Sequence, residues 1–307
     1  MRDVLVPLDG TQISEAGLRW AAGAAYRSGS HLRLITVVDD AADESKMSAD
    51  RARDYLHERV RSLRSDGIEA DWEVIAGAAA ETILRESENA DLTVMTSGTT
   101  RWFVSDVLDR VLQSMSSPLI VVRGDRGQLK GAVNLESILV PLSETNYSAA
   151  ILPAVADVAR AVRAKLILFQ NVELTSKEHG SHGLPPVVSR ALKLQLEQAE
   201  QYIDSCAEEL RAQGLEVDTL ISSGDHVAEI VKAARTVGAG LIAMATRGRD
   251  RLESRISGSV ANAVLEASTL ACLVVRTSQN GAGISGFRVA SAIESAEASA
   301  STADEPL

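Results

Sequence analysis

The strongest constraint on this chain is that it is written twice. Residues 3–14, DVLVPLDGTQIS, align with residues 137–148, SILVPLSETNYS, at a displacement of 134. The displacement persists through HLRLITVVD at 31–39 and KLILFQNVE at 165–173. It grows as loops lengthen: ADLTVM at 90–95 pairs with AGLIAM at 239–244, and PLIVVR at 118–123 with ACLVVR at 271–276. Self-similarity of this kind makes two copies of one domain the organising unit, each of ordinary domain size. The boundaries follow as 1–124 for the first domain, 125–135 for a Gly-rich polar linker, and 136–277 for the second domain. Residues 278–307, rich in Ala, Ser and Glu, read as a disordered tail with little to build a core from.

Within each copy, short apolar runs alternate with longer stretches of helical period. In the first, strands are expected at 3–8, 31–38, 70–76, 91–96 and 119–123, with helices at about 12–28, 48–66, 79–88 and 106–115. The strands are continuously apolar instead of alternating, the pattern of strands buried on both faces. Gly67 and Gly214 stand where helix C-caps are expected, ahead of the third strand of each copy. Strand-helix alternation implies right-handed crossovers and a parallel, doubly wound α/β sheet. Ligands of such sheets bind beyond the carboxyl ends of the strands. Apolar content of 45% with only 3% aromatics makes the cores aliphatic.

At this point the residues carry a resemblance. An apolar strand ending in Val-Pro-x-Asp, then alternating strands and helices, then Gly-x2-Gly-x9-Gly-Ser, is similar to the pattern of the universal stress protein family. The chain resembles a tandem member covering about 1–276. That resemblance implies two Rossmann-like five-stranded domains with strand order 3-2-1-4-5. It also implies that the domains pair through their last strands, LIVVR and CLVVR, as a pseudo-dimer within one chain. Some members bind ATP through the Gly-rich loop and others lack the loop residues, so function turns on individual positions.

In the second copy the loop maps as Ala245-x2-Gly248-x9-Gly258-Ser259. Glycines let backbone N–H groups approach phosphate oxygens with no Cβ in the way. Ser259 adds a hydroxyl donor, and the helix opening at Val260 offers unpaired N–H groups and the positive end of its dipole. Arg247, Arg249, Arg251 and Arg255 make this loop basic within an acidic chain. By resemblance, Pro141, Ser143 and Val172 would line the adenosine pocket, with Met244, Ala245, Arg247, Gly248, Gly258, Ser259 and Val260 completing the site. Two positions depart from the family pattern: Ala245 replaces the first glycine, setting a methyl toward the ribose and phosphate, and Ser143 replaces the strand-one aspartate.

The first copy keeps that aspartate as Asp9, but its loop is about four residues shorter. Thr99 aligns with Gly248, Ser105 with Gly258 and Asp106 with Ser259. Asp106 is a good helix N-cap and its carboxylate repels phosphate, while Trp102 and Phe103 would fill the vacated space. One nucleotide site, in the second domain, is the expectation, with magnesium accompanying ATP. AMP or a cyclic nucleotide would suit the same chemistry.

A net charge of −11 argues against nucleic-acid and anionic-membrane surfaces. Cys206 and Cys272 give no disulfide framework and no metal spacing, and the N-terminus turns polar after a few apolar residues. A soluble cytoplasmic protein is therefore expected. His179 and His182 lack further clustered ligands, and no metal site is expected there. There is no Gly-x-Ser-x-Gly elbow and no Walker loop, so the chain reads as a stress-response or regulatory module and not an enzyme. The alternatives are an interaction or structural protein with relic loops, and a slow ATPase. Assembly reads either as a self-sufficient tandem or as a homodimer giving four domains.

Overall fold

The computed structural model describes residues 1–38, 47–98, 106–124, 133–143, 146–172, 186–247 and 260–277. The first half runs β1 (Asp3–Pro7), α1 (Ser14–Ser28), β2 (His31–Val38), α2 (Ala49–Ser65), β3 (Ala70–Ala76), α3 (Ala79–Ser87), β4 (Leu92–Ser97), α4 (Asp106–Ser114) and β5 (Leu119–Arg123). The second repeats it as β6 (Ser137–Leu142), α5 (Asn146–Ala149), α6 (Leu152–Val162), β7 (Lys165–Val172), α7 (Pro186–Ala212), β8 (Val217–Ser223), α8 (His226–Thr236), β9 (Leu241–Arg247), α9 (Val260–Ala267) and β10 (Ala271–Thr277).

Local signals set these boundaries. The Ser48 hydroxyl accepts from the Arg51 amide to open α2, and Ala52, Leu56, Val60 and Leu63 form its buried stripe. Gly67 and Gly214 follow the ends of α2 and α7 with φ of 79° and 83°, as expected of C-terminal glycines. The counterpart of α1 in the second half is broken in two, and Pro153 occupies the first turn of α6, where its missing N–H costs nothing.

All ten strands form one sheet in the order β3-β2-β1-β4-β5-β10-β9-β6-β7-β8. Each half is parallel internally and has the order 3-2-1-4-5 that the resemblance implies. The halves meet where β5 and β10 run antiparallel, with Val121 opposite Cys272, Ile120 opposite Leu273 and Leu119 opposite Val274. The last strands of the two repeats thus close a pseudo-dimer inside one polypeptide. Antiparallel pairing by quasi-two-fold symmetry brings like surfaces together, as an isologous interface does.

Alternation along the strands sends side chains to two layers. On one face, Val4, Val6 and Leu8 of the first half and Val140, Leu142 and Leu168 of the second join a core roofed by α1, α2, α6 and α7. That core is continuous across both halves, and α1 lies against α6. On the other face there are two cores. Leu5, Ile35 and Met95 lie under α3 and α4, and Leu139, Phe169 and Ile242 under α8 and α9. Leu265 of α9 packs against both of these. Each fully buried aliphatic side chain contributes about 1.5–3 kcal/mol of transfer free energy.

The stretch read as linker ends in ordered packing. Val133 rests on Gly23 of α1, Leu135 is buried, and the Asn134 amide donates to the Gly238 carbonyl. A Cβ at Gly240 would stand 1.9 Å from the Asn134 carbonyl oxygen, so only glycine admits this approach. Among the described residues no helix is long and apolar enough to cross a membrane.

Candidate functional site

Parallel topology gathers the carboxyl ends of β6, β7, β8 and β9 at one end of the second half. Pro141 and Ser143 lie at the end of β6, Val172 at the end of β7, and Met244, Ala245 and Arg247 along the last residues of β9. Val260 opens α9 and is 41% exposed, a large apolar side chain left facing solvent. These seven predicted residues lie toward the carboxyl ends of the second half's strands or at the start of α9. Gly248, Gly258 and Ser259 lie outside the described residues, as do Arg249, Arg251 and Arg255 between them.

Side-chain direction distinguishes the members. Ile242 and Met244 join the core under α8 and α9, whereas Leu241 and Ala243 join the opposite core. By the same alternation Ala245 packs against that opposite core. Its methyl therefore lies on the face of the sheet opposite α8 and α9. The first half behaves alike: the Thr96 hydroxyl, at the equivalent place, turns to α1 and accepts from the Gly17 amide at 3.1 Å.

Ser143 is exposed, and its backbone is held by Ser148: the Ser143 N–H donates to Ser148 Oγ at 2.9 Å, and that hydroxyl donates to the Ser143 carbonyl at 2.7 Å. The hydroxyl thus fixes the turn after β6 by a side chain from α5. In the first half Asp9 does a comparable job for itself, accepting from the Thr11 amide at 2.9 Å and the Thr11 hydroxyl at 2.6 Å. The methyl end of Met47 lies over Gly10 in that turn, so closely that a Cβ would overlap it. Asp106 opens α4, whereas Thr99, Trp102, Phe103 and Ser105 lie outside the described residues.

At the carboxyl ends of β7 and β8, Asn171 and His226 form a pair. Asn171, next to Val172, donates its amide to the Gly224 carbonyl at 2.8 Å and meets His226 Nδ1 at 2.6 Å. The Asn171 Oδ1 is buried without a hydrogen-bond partner. His226 is presented at the first position of α8, which Asp225 caps by accepting from the Ala228 amide at 2.8 Å. Beside it, the Ser222 hydroxyl and Lys232 ammonium hold the Glu229 carboxyl below the usual range. A sequence signal did exist: His226 follows a Gly-Asp helix start at a strand's carboxyl end.

The remaining titratable groups lie elsewhere. His31 sits between Asp3 and Asp71 at 3.3 and 3.5 Å, at the opposite end of the strands. Burial pushes the Cys206 thiol up to about 11 and the Cys272 thiol to about 12, so neither is a ready nucleophile. His179 and His182 lie outside the described residues. Among the described residues no group of three or more His, Cys, Asp or Glu side chains is placed to hold a metal ion. A groove of about 370 Å³ runs between Asp91 and Pro118 of the first half and Pro153 and Asp157 of α6. It opens at the amino ends of the strands and contains none of the predicted site residues.

Comparison with known proteins agrees with this architecture. The family model described as "Universal stress protein family" matches residues 1–123 and again 134–276. The universal stress protein YxiE of Bacillus subtilis is 25% identical over 144 residues, covering 45% of this chain and 97% of its own length. A universal stress protein structure from Archaeoglobus fulgidus superposes with a TM-score of 0.65 at 19% identity, over 89% of this chain and 98% of that one. A Pseudomonas aeruginosa structure described with the same family name gives a TM-score of 0.61 at 18% identity, over 90% and 93% of the two chains. Two family matches, laid onto two halves of one continuous sheet, make this chain a tandem member of the universal stress protein family.

Proposed function

We propose that this chain binds ATP, or another adenine nucleotide, in its second half and acts as a ligand-responsive stress or regulatory module, not as an enzyme. The observation that carries this reading is the loop spacing Gly248-x9-Gly258-Ser259 running directly into α9 at Val260. Pro141, Ser143 and Val172 would take the adenosine end. Arg247, Gly248, Gly258, Ser259 and Val260 would take the phosphates, with Met244 and Ala245 forming the floor. Magnesium would accompany the triphosphate as its counter-ion. The Asn171–His226 pair adds polar groups beside Val172 on the same face of the sheet as α9.

Ser143 in place of an aspartate offers the ribose a neutral hydrogen bond, roughly half as strong as a charge-assisted one. Micromolar or weaker affinity is expected. In isothermal titration, Gly258→Glu should lower ATP affinity at least about a hundredfold, because a carboxylate beside the phosphates adds like-charge repulsion of several kcal/mol. Equal affinity of the two proteins would place the ligand elsewhere. Ser143, tied to its own turn through Ser148, favours a second reading, an interaction protein that takes no nucleotide. An unmutated protein giving neither heat nor thermal shift with ATP would select it.

A further inference from the structure

We propose that Arg123 is a positioning residue through which the first half of the chain sets α9, the helix that opens on the candidate phosphate loop of the second half. Arg123 closes β5, yet its guanidinium reaches across the β5–β10 seam. Its Nη1 donates to the Glu266 carbonyl at 3.1 Å and to the Ser268 carbonyl at 2.6 Å. These two carbonyls end α9. A helix leaves its last carbonyls unpaired, and Ser268 is only 3% exposed, so water has little access there. A charged donor from the other half meets that need and complements the negative end of the helix dipole.

Two features make this contact consequential. First, α9 has eight residues, Val260–Ala267, fewer than a helix needs to be stable alone, so its order depends on what holds it. Its anchors are the buried Ala261 and Val264, Leu265 wedged between the cores of both halves, and the Arg123 clamp. Two of these anchors involve the first half. Second, the pseudo-symmetry is broken. Arg276 is the repeat counterpart of Arg123, and the end of α4 is the counterpart of the end of α9. Among the described residues, no hydrogen bond joins Arg276 to α4. The clamp therefore runs one way, from the half with the shortened loop to the half with the full-length one.

Arg123 also pairs in register with Ser97 at the end of β4, where the first half's shortened loop departs. The carboxyl end of the first half is thus linked to α9 through one strand and one side chain. Its bearing on ligand rests on the nucleotide reading given above; the clamp itself does not.

The test uses the full chain with Arg123→Ala, Arg123→Lys and Arg276→Ala. Hydrogen exchange without ligand is followed across residues 260–268, and ATP affinity is then titrated. Loss of two charge-assisted bonds should speed α9 exchange about tenfold in Arg123→Ala. Arg123→Lys should restore part of the protection, since an ammonium still donates but lacks the planar fork. Arg276→Ala should leave α9 unchanged, and ATP affinity should fall about tenfold in Arg123→Ala alone. Unchanged α9 exchange in Arg123→Ala overturns the clamp. Faster exchange with unchanged ATP affinity overturns the coupling. If the unmutated protein binds no ATP, the nucleotide reading falls, while the exchange arm still decides the clamp.

Discussion

Arg33 shows how a single side chain links the layers of the first half. Its guanidinium donates to the Glu86 carboxylate at 2.7 Å and to the Glu86 carbonyl at 2.8 Å, fastening β2 to the last turn of α3. Both side chains are largely shielded, at 24% and 16% exposure. The Arg33 hydrogen bond holds the Glu86 carboxyl below its ordinary range. A depressed carboxylate stabilises the fold above its unfolded value, and that stability is lost as pH falls through the folded value. Arg33→Met should therefore cost about 1–3 kcal/mol at neutral pH and flatten the acid limb of the stability curve. Urea midpoints at neutral and acid pH check this; an unchanged acid limb would show that Glu86 is not the titrating group. Nothing in the sequence marks this pair, because residues 33 and 86 are far apart in the chain and the topology alone brings them together. The Arg123 clamp was illegible for the same reason.

At the scale of elements, much of the fold was readable. The five strands of the first half fall within a residue of their expected limits, because strands buried on both faces must be continuously apolar. Helix ends were readable where chemistry announces them, as at Gly67 and Gly214. Where tertiary packing overrides chemistry they were not. Gly29 ends α1 with φ of 71°, donating to the Ala25 carbonyl at 2.8 Å. Its repeat counterpart is Arg163, held at the end of α6 with φ of 55°. A left-handed conformation costs a residue with a Cβ about 1–2 kcal/mol relative to glycine. Arg163→Gly should raise stability by about 1 kcal/mol, an increase in the urea midpoint at constant slope. A loss of stability would mean that the Arg163 side chain makes up for its backbone. The split of the α1 counterpart into α5 and α6 was equally unannounced, although Pro153 at the start of α6 is consistent with it.

At the scale of the whole molecule, the repeat foretold two like units and the resemblance foretold their pairing. The structure joins them into a single ten-stranded sheet with one core shared across α1 and α6. The halves are alike in fold and unlike at their crevices. The first keeps Asp9 but uses it to hold its own turn, with Met47 lying over the next residue. The second keeps the long loop spacing, with Pro141, Ser143, Val172 and Met244 toward the carboxyl ends of its strands. What the sequence could not disclose was direction: the alternation of β9 turns Ala245 away from the face that carries α9.

The proposed function requires a single nucleotide site per chain, in the second half. Equilibrium dialysis of the full-length protein against labelled ATP with magnesium measures this directly. One site in the second half gives saturation at one ATP per chain, with that one lost in Gly258→Glu. Saturation at two per chain, or no binding at millimolar nucleotide, would contradict it.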